Sequence, residues 1–403
     1  MVFRQRLDSI HKQIAFPPAL AIIEKLFSMG YPTVIAGGSV RDSLLGLPAK
    51  DLDIATAAPP DVVERAFPKT LAVGKAFGTI VVLAEGLQFE VTTFRSDGEY
   101  KNGRHPESVT FTDMEEDAKR RDFTVNALFY DPLNETVIDF VGGMEDLKHK
   151  RLQAVGDAEV RFTEDRLRML RAVRFVGQLG FQLDESSMTA IQKLHQSLAT
   201  VSAERVFNEL RRLLESRFVN DGLTCLLRSQ LYRVCWPELE GFDVQSLARY
   251  EAFLGWENIF SAIMLEQNAK PDVRLQGWKA PRESLRRVQE QIQSVKILLR
   301  ESSTRAERAR ILGGDLFSEV LVLASGQSED KKKIEEYISE FLEISGQKGR
   351  LPEPFVNGQD LLKAGFEPGA KMGQVLRSLY DAQLEGRIRS KAEALERIAD
   401  FKV

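Results

Sequence analysis

Cysteine, histidine and long apolar runs are all scarce in this 403-residue chain. Two cysteines, Cys225 and Cys235, cannot build a disulfide framework. The four histidines are scattered without the spacing of metal ligands, which argues against a zinc site. No apolar run approaches the ~20 residues of a membrane span, and the first residues lack the apolar segment of a signal peptide. We therefore expect a soluble, cytoplasmic protein of a reducing compartment.

A large excess of one charge is also missing. The chain has 55 basic and 59 acidic residues, which excludes a uniformly basic, histone-like protein but leaves room for a local basic surface. Residues 271–310 hold ten Lys or Arg against five Asp or Glu, with Trp278 among them. Most such runs are solvated faces, yet this one also suits contact with the backbone of a folded RNA.

The hydrophobic pattern changes near residue 157 and predicts an α+β protein. Before that point, alternation and turn signals predict a mixed sheet with helices. The expected strands are 31–36, 51–56, 79–83, 88–94 and 136–141, and a helix is expected to end at Gly30. After that point the pattern is helical, with predicted helices at 164–179, 186–198, 203–216, 245–265 and 282–300. The expected domains are a head (1–150), a neck (151–220), a helical body (221–350) and a tail (351–403).

Two carboxylates alternate on the predicted strand 51–56 (DLDIAT). Side chains at i and i+2 of a strand share a face, so Asp51 and Asp53 should project together while Leu52 and Ile54 point into the core. Two close carboxylates repel each other unless a cation lies between them. Mg²⁺ typically uses one or two carboxylates plus substrate phosphates. Alone, however, such a pair is more often a solvent-facing pair at a sheet edge.

Two neighbouring features favour the metal site. Residues 37–42 (GGSVRD) lie between a predicted strand and a predicted helix, where paired glycines let the backbone approach a phosphate and the helix N-terminus favours its charge. Glu90 supplies a third carboxylate on a later strand. Two metal ions held by three carboxylates are the arrangement used for in-line phosphoryl or nucleotidyl transfer.

Four motifs in this order resemble the bacterial class II tRNA nucleotidyltransferases. They are GGSVRD (37–42), DLDIAT (51–56), RRDFTVNA (120–127) and EDRLR (164–168). The family contains CCA-adding, CC-adding and A-adding enzymes and bacterial poly(A) polymerases, all in the DNA polymerase beta superfamily. The resemblance is strong over residues 1–215, returns at 352–393, and rests only on helical character at 220–350. It implies a polymerase-beta-like nucleotidyltransferase head followed by an all-α body.

The resemblance also assigns roles to single residues. Asp51 and Asp53 would bind two Mg²⁺ ions, and Glu90 would activate the 3′-hydroxyl of the RNA. The loop of residues 37–41 would hold the triphosphate, and residues 120–127 would contact the ribose. The implied nucleotide-binding residues are Gly37, Gly38, Ser39, Arg41, Arg121, Asp122, Asn126, Asp165, Arg168 and Arg171.

The segment 164–168 has two interpretations. On one continuous helix, Glu164, Asp165 and Arg168 share a face, and most such trios are ordinary ion pairs. A carboxylate beside a guanidinium can also read a base, because it accepts from the amino group of cytosine or adenine while the guanidinium donates to the adjacent ring acceptor. Guanine and uracil present the opposite edge and are rejected. The resemblance gives Asp165 and Arg168 this template role, with support from Glu164, Glu204 and Arg205.

Two further segments resemble moving parts of the family. Asp139, Gly142 and Asp146 resemble the hinge between the catalytic and helical parts. Residues 95–106, which include Arg95 and Arg104, resemble the flexible loop that CCA-adding and A-adding enzymes carry and CC-adding enzymes lack. His105 stands where many relatives have an arginine.

We rank CCA addition from CTP and ATP first, addition of A alone second, and poly(A) synthesis third. The absence of any His-Asp dipeptide argues against the phosphohydrolase domain of some relatives. A catalytically inactive RNA-binding protein would be expected to lose one of the three carboxylates. A small-molecule nucleotidyltransferase would have no use for residues 164–168 or for the helical half. The expected partner is the tRNA 3′ end with the acceptor and T arm, with no membrane or inferable protein partner.

Overall fold

The computed structural model describes residues 1–49, 51–98, 100–101, 105–106, 108–250, 252–328, 330–346 and 349–401. The chain forms two compact units, Met1–Glu240 and Gly241–Val403. The first contains the sheet and the second is helical, so the predicted α+β class is confirmed. None of the helices in the described ranges is long and apolar enough to cross a bilayer.

An eight-stranded sheet forms the centre of the first unit, in the order β1-β12-β11-β2-β3-β6-β5-β4. The strands along the chain are Val2–Arg4 (β1), Thr33–Ala36 (β2), Asp53–Thr56 (β3), Thr70–Leu71 (β4), Thr79–Ala84 (β5), Leu87–Thr93 (β6), Arg95–Asp97 (β7), Tyr100–Lys101 (β8), His105–Pro106 (β9), Val109–Phe111 (β10), Phe129–Asp131 (β11), Thr136–Ile138 (β12), Arg151–Leu152 (β13) and Gln182–Leu183 (β14). Most neighbours run antiparallel, but β3 pairs with β6 in parallel.

The predicted strands are present, with different bounds. The hairpin between β5 and β6 turns at Glu85 and Gly86, whose φ angles are 50° and 79°. Two residues of positive φ match the twist of a two-residue hairpin turn. The strand predicted at 51–56 begins only at Asp53, so the expectation that Asp51 is part of its alternation is wrong. Asp51 lies just before the strand and is exposed.

Helices cover the sheet and continue beyond it in the first unit. They are Asp8–His11 (α1), Phe16–Ser28 (α2), Gly38–Leu44 (α3), Pro60–Ala66 (α4), Met114–Lys119 (α5), Gly143–Lys148 (α6), Ala158–Glu164 (α7), Leu167–Leu179 (α8), Glu185–Leu194 (α9), Ala203–Leu214 (α10), Val219–Arg228 (α11) and Tyr232–Cys235 (α12). The single helix predicted at 164–179 is wrong, because Asp165 adopts an extended backbone (φ −131°, ψ 105°) between α7 and α8. Most residues of α8 are buried, including Arg168 and Arg174.

The second unit consists of helices. They are Trp256–Glu266 (α13), Pro271–Gly277 (α14), Arg282–Leu299 (α15), Arg305–Leu312 (α16), Phe317–Gln327 (α17), Lys331–Ser345 (α18), Gly358–Lys363 (α19), Ala370–Leu384 (α20) and Lys391–Arg397 (α21). The helix predicted at 245–265 is divided into a 3-10 turn at Val244–Arg249 and α13. Residues of the last three helices share a core around Leu361, Val375 and Ile398.

The basic segment 271–310 differs from the expectation in one respect. Trp278 is only 3% exposed and packs against Phe260, with ring centroids 5.6 Å apart. An indole in this position stabilises the core and is not available to stack on RNA, so including Trp278 in an RNA-contacting surface was wrong.

Candidate active site

Four parts of the first unit open onto one cavity of about 1030 Å³. They are the turn that starts α3, the carboxylates at the start of β3, the inner face of α8 with the segment 120–126, and α10 with the residues that follow it. The predicted residues that line it are Gly37, Gly38, Ser39, Arg41, Asp51, Asp53, Arg121, Asp122, Asn126, Asp165, Arg168, Arg171 and Arg205. The structure therefore brings together residues from four separated motifs.

The register between β3 and β6 determines the relative positions of the Asp53 and Glu90 carboxylates. Ile54 pairs with Val91 on the parallel neighbour, so Asp53 and Glu90, each one residue earlier, stand level on the same face. Leu52 and Ile54 are buried on the opposite face, as the sequence predicted. Asp53 opens onto the cavity, whereas Glu90 lies beside it and is not part of the lining that the structure describes.

The carboxylates act on one another electrostatically. Loss of hydration raises the pKa of Asp53 to about 6, and the negative charges of Glu90 and then Asp51 add to the rise, while Arg121 opposes it. A divalent cation would relieve this repulsion, so Asp51 and Asp53 have the donor chemistry for Mg²⁺. Within the described ranges, however, no three His, Cys, Asp or Glu side chains converge as a ligand set. The expectation that Asp51, Asp53 and Glu90 together form a site for two metal ions therefore stays a prediction.

Gly37 makes the turn between β2 and α3. Its φ of 78° favours glycine, and a Cβ there would lie 3.2 Å from Nη1 of Arg121. Arg41 follows in the same helix, where its Nε and Nη2 donate to Asp42 at 2.8 and 2.6 Å. Its guanidinium lies 5.2 Å from the ring centre of Phe175. A glycine turn and a fixed cation thus border the same end of the cavity.

Asp122, in the segment RRDFTVNA, is bonded to a neighbouring helix. Its Oδ2 accepts two hydrogen bonds from Arg171 of α8, at 2.6 and 3.0 Å. Its other oxygen accepts from Asn126 and from the backbone N–H of Phe123. Although burial opposes ionisation of Asp122, the charge and hydrogen bonds of Arg171 hold its pKa well below the usual range.

The break at Asp165 reshapes the predicted base-reading trio. Glu164 contacts Arg168 at 2.6 Å, in agreement with an orienting role. Asp165, however, accepts from Arg205 of α10 at 2.8 Å, and its other oxygen caps the start of α8 at the Leu167 N–H. Arg168 and Asp165 are thus held by different partners, and both side chains border the cavity. Arg205 contacts Asp165 directly, whereas Glu204 is not among the described lining residues.

A buried ion pair between α8 and α10 was missed by the sequence analysis. Arg174 donates to Glu209 of α10 at 2.5 Å, and both side chains are 7% exposed. Glu209 also lies 3.8 Å from Arg171, which binds Asp122. Arg168, Arg171 and Arg174 recur every three residues on one helix, which marks a basic face in the sequence but does not indicate Glu209 as a partner.

The residues of the predicted hinge are tightly bonded. The buried carboxylate of Asp139 accepts four backbone N–H groups, those of residues 141–144, at 2.9–3.1 Å. Gly142 follows with a φ of 86° and starts α6. Asp146 accepts from Thr124 and Arg151, each at 2.6 Å. These residues fix the chain on either side of α6 and stand apart from the cavity lining that the structure describes.

The predicted loop is only partly covered by the described residues. Arg95 begins β7, where its Nε donates to Asp97 at 3.2 Å and it also contacts the carbonyl of Phe77. β7, at the start of the loop, pairs with β10, which follows the loop in the chain. Arg104 lies outside the described residues. His105 belongs to β9, and the expectation for its side chain stays a prediction.

Comparison with known proteins identifies the family. Residues 33–153 match the Poly A polymerase head domain, 180–242 the RNA and SrmB-binding site of polymerase A, and 254–399 the tRNA nucleotidyltransferase domain 2. A CCA-adding enzyme of Lacticaseibacillus paracasei is 34% identical over 95% of this chain and 96% of its own length. One of Streptococcus sanguinis is 35% identical over 97% of this chain and 98% of its own length. The chain belongs to the CCA-adding enzyme family.

Solved structures agree with this membership. The Bacillus stearothermophilus CCA-adding enzyme, solved in complex with CTP, aligns with a TM-score of 0.80 and 31% identity over 96% of this chain and 98% of its own. A Thermotoga maritima CCA-adding enzyme, solved with tRNA, shares the fold with a TM-score of 0.70 and 19% identity over 99% of each chain. As a member of the CCA-adding enzyme family, the protein is a nucleotidyltransferase, and the resemblance inferred from its motifs is confirmed.

Proposed function

We propose that this protein adds the 3′-terminal CCA to tRNA from CTP and ATP by two-metal-ion nucleotidyl transfer. The observation that carries the proposal is the single cavity that joins Asp51 and Asp53 to Asp165 and Arg168. Its volume of about 1030 Å³ exceeds the needs of one nucleotide and leaves room for the end of an RNA strand. Two CCA-adding enzymes that are more than 30% identical to this chain over nearly its whole length support CTP, ATP and tRNA as the substrates.

Asp51 and Asp53 would hold Mg²⁺ together with the phosphates of the bound nucleotide. Bound there, the metal would supply Lewis-acid stabilisation of the charge that develops on the transferred phosphate. Glu90, level with Asp53 and beside the cavity, is the residue we assign to activating the 3′-hydroxyl of the RNA. The raised pKa of Asp53 fits this group, because a cation favours the ionised carboxylate that repulsion disfavours.

The nucleotide would be oriented by residues that the fold already holds in place. Arg121, beside Gly37, and Arg41, beside Asp42, are suited to the triphosphate, because guanidiniums bind phosphate oxygens in a fixed geometry. Asp122 is the residue that we assign to the ribose. A 2′-hydroxyl of the nucleotide would donate to the Asp122 carboxylate. Arg171 already binds this carboxylate and therefore fixes its orientation before the substrate arrives.

Base choice would come from Asp165 and Arg168. The carboxylate of Asp165 accepts from the amino group of cytosine or adenine, and Arg168 donates to the neighbouring ring nitrogen. Uracil and guanine would leave these groups unpaired, and unpaired polar groups in such a site give strong discrimination. Arg205 supports this template by holding Asp165 at 2.8 Å.

The hinge of Asp139, Gly142 and Asp146 and the loop with Arg95 and Arg104 would let one pocket accept cytosine first and adenine later. The helical body and tail would bind the acceptor and T arm of tRNA by its shape and phosphates. A-addition alone and poly(A) synthesis use the same chemistry and differ in product, so the product decides between them.

Product sequencing tests the proposal. The protein is incubated with Mg²⁺ and all four ribonucleotides on tRNA transcripts that lack CCA, end in C, or end in CC. We expect a finished CCA end on all three. A single A added only to the CC-ended transcript would instead establish an A-adding enzyme, and long A tails a poly(A) polymerase.

The metal assignment is tested separately with Asp53→Ala. This variant should lose incorporation because it loses a metal ligand, while its binding to tRNA survives. Full incorporation by the variant would refute the assignment of Asp53.

A further inference from the structure

A buried carboxylate behind the cavity has no role so far. Asp117, in α5, is 1% exposed and is not among the described residues that line the cavity. Its two oxygens divide between two neighbouring arginines. Oδ1 accepts from Arg120 at 2.7 and 2.9 Å, and Oδ2 accepts from Arg121 at 3.0 and 3.2 Å. One carboxylate therefore fixes two guanidiniums that do border the cavity.

Each of these arginines touches a different part of the site. Arg121 stands beside Gly37, donates to the carbonyl of Asn126 at 3.3 Å, and lies 4.9 Å from the ring centre of Phe129. It also acts on the pKa of Asp53, which it lowers against the effect of burial. Arg121 thus lies against the glycine turn and acts electrostatically on Asp53.

Arg120 connects the same carboxylate to the template. Its backbone carbonyl accepts from Nη2 of Arg168 at 3.1 Å. Oδ1 of Asp117 also accepts from the backbone N–H of Arg95 at 3.3 Å. Asp117 and its two arginines therefore contact the start of β7, the glycine turn at Gly37 and Arg168.

The positive charges of Arg120 and Arg121 need a compensating negative charge. Two adjacent guanidiniums repel each other, and burial is costly unless a carboxylate compensates them. Burial by itself would raise the pKa of Asp117, but the charges of Arg121 and Arg120 outweigh it and hold this pKa below its usual value. Asp117 is consequently ionised at neutral pH and presents both oxygens to the arginines.

We infer that Asp117 is a positioning residue for nucleotide binding. It directs Arg121 toward the triphosphate and holds the Arg120 backbone carbonyl where it accepts from Arg168. It touches no substrate, and its effect passes through the two arginines. The inference rests on the proposed function, since it concerns the affinity for CTP and ATP. An amide at this position would offer one acceptor oxygen and turn its N–H₂ toward the other guanidinium, so one arginine would lose its direction.

The test compares Asp117→Asn with a control on the same helix. Asp113 is the exposed N-cap of α5 and accepts from the Glu116 N–H at 3.0 Å, so Asp113→Ala weakens the helix without removing the arginines' partner. KM for CTP, KM for tRNA and kcat are measured for both variants with a transcript lacking CCA. We expect Asp117→Asn to raise KM for CTP by about tenfold or more, the effect typical of removing a group that orients a ligand-binding side chain, with KM for tRNA unchanged.

A purely structural role would give a different result. Partial unfolding reduces the concentration of active enzyme, so it lowers the apparent kcat and leaves KM for CTP at the wild-type value. Equal KM for CTP in the wild type, Asp117→Asn and Asp113→Ala would overturn the inference. Should Asp117→Asn fail to fold, Asp117→Glu keeps the charge but moves it, and an unchanged KM for CTP in that variant would overturn the inference equally. A wild-type protein that incorporates neither CTP nor ATP would refute the proposed function instead.

Discussion

The ion pair of Arg174 and Glu209 allows a prediction of a change in stability, and the burial of both side chains sets its magnitude. Arg174 and Glu209 are each 7% exposed, and burial lowers the pKa of Arg174 to about 10 despite the opposing charge of Glu209. Removing one partner of a buried pair leaves an uncompensated charge and costs about 3–5 kcal/mol. Glu209→Gln retains the shape and one hydrogen bond, so we expect a loss near the lower end, about 3 kcal/mol.

An exposed pair in the same unit supplies the control. Lys193 and Glu159 are 2.6 Å apart, but their side chains are 64% and 46% exposed. Such pairs contribute about 0–1 kcal/mol because water screens them, so Glu159→Gln should leave the free energy of unfolding nearly unchanged. Both variants replace one carboxylate by an amide, but the side chain of Glu209 is buried whereas that of Glu159 is exposed.

Urea unfolding followed by circular dichroism measures the difference, and a thermal scan provides a second reading. For a unit of this size about 3 kcal/mol corresponds to a fall of roughly 6–12 °C in Tm. Glu209→Gln should also raise KM for CTP, because Glu209 lies 3.8 Å from Arg171, which holds Asp122. A free energy of unfolding within 1 kcal/mol of that of Glu159→Gln would refute the reasoning.

Two other predictions concern the reaction. Because burial and the charge of Glu90 raise the pKa of Asp53 to about 6, this carboxylate is ionised above that pH and protonated below it. CTP incorporation should therefore fall as the pH drops through 6, and more Mg²⁺ should move the fall to lower pH, since metal and proton compete for Asp53; a profile that is flat down to pH 5 would contradict this. Arg168→Ala should relax base choice more than it weakens tRNA binding, which misincorporation of GTP and UTP measures; an unchanged preference for CTP and ATP would remove the template role.

Local patterns predicted the strands of the sheet and the direction of the side chains from Leu52 to Ile54, but not that the strand begins after Asp51. The sequence DLDIAT encloses two apolar residues between polar ones, and Leu52 and Ile54 are buried while Asp53 faces the cavity. Side-chain direction in a strand depends on near neighbours alone, so a period of two suffices. That Glu90 would stand level with Asp53 was not readable, because it depends on the register of β3 and β6.

The break at Asp165 was missed for a physical reason. No glycine or proline marks the break. The helix is interrupted because the carboxylate of Asp165 accepts from the Leu167 N–H and from Arg205, which stands 40 positions later. A partner that distant along the chain leaves no local signal, and the same holds for Arg174 with Glu209.

The cavity is therefore bordered by a set of arginines, each of which is paired with a carboxylate. The pairs are Arg41 with Asp42, Arg121 with Asp117, Arg171 with Asp122, Arg168 with Glu164, and Arg205 with Asp165. A protein that selects a base without a nucleic-acid template must fix its donors and acceptors before the nucleotide arrives, because a mobile guanidinium would adapt to the wrong base as readily as to the right one. Carboxylates that touch no substrate, such as Asp117, should then matter for selection as much as the residues that do.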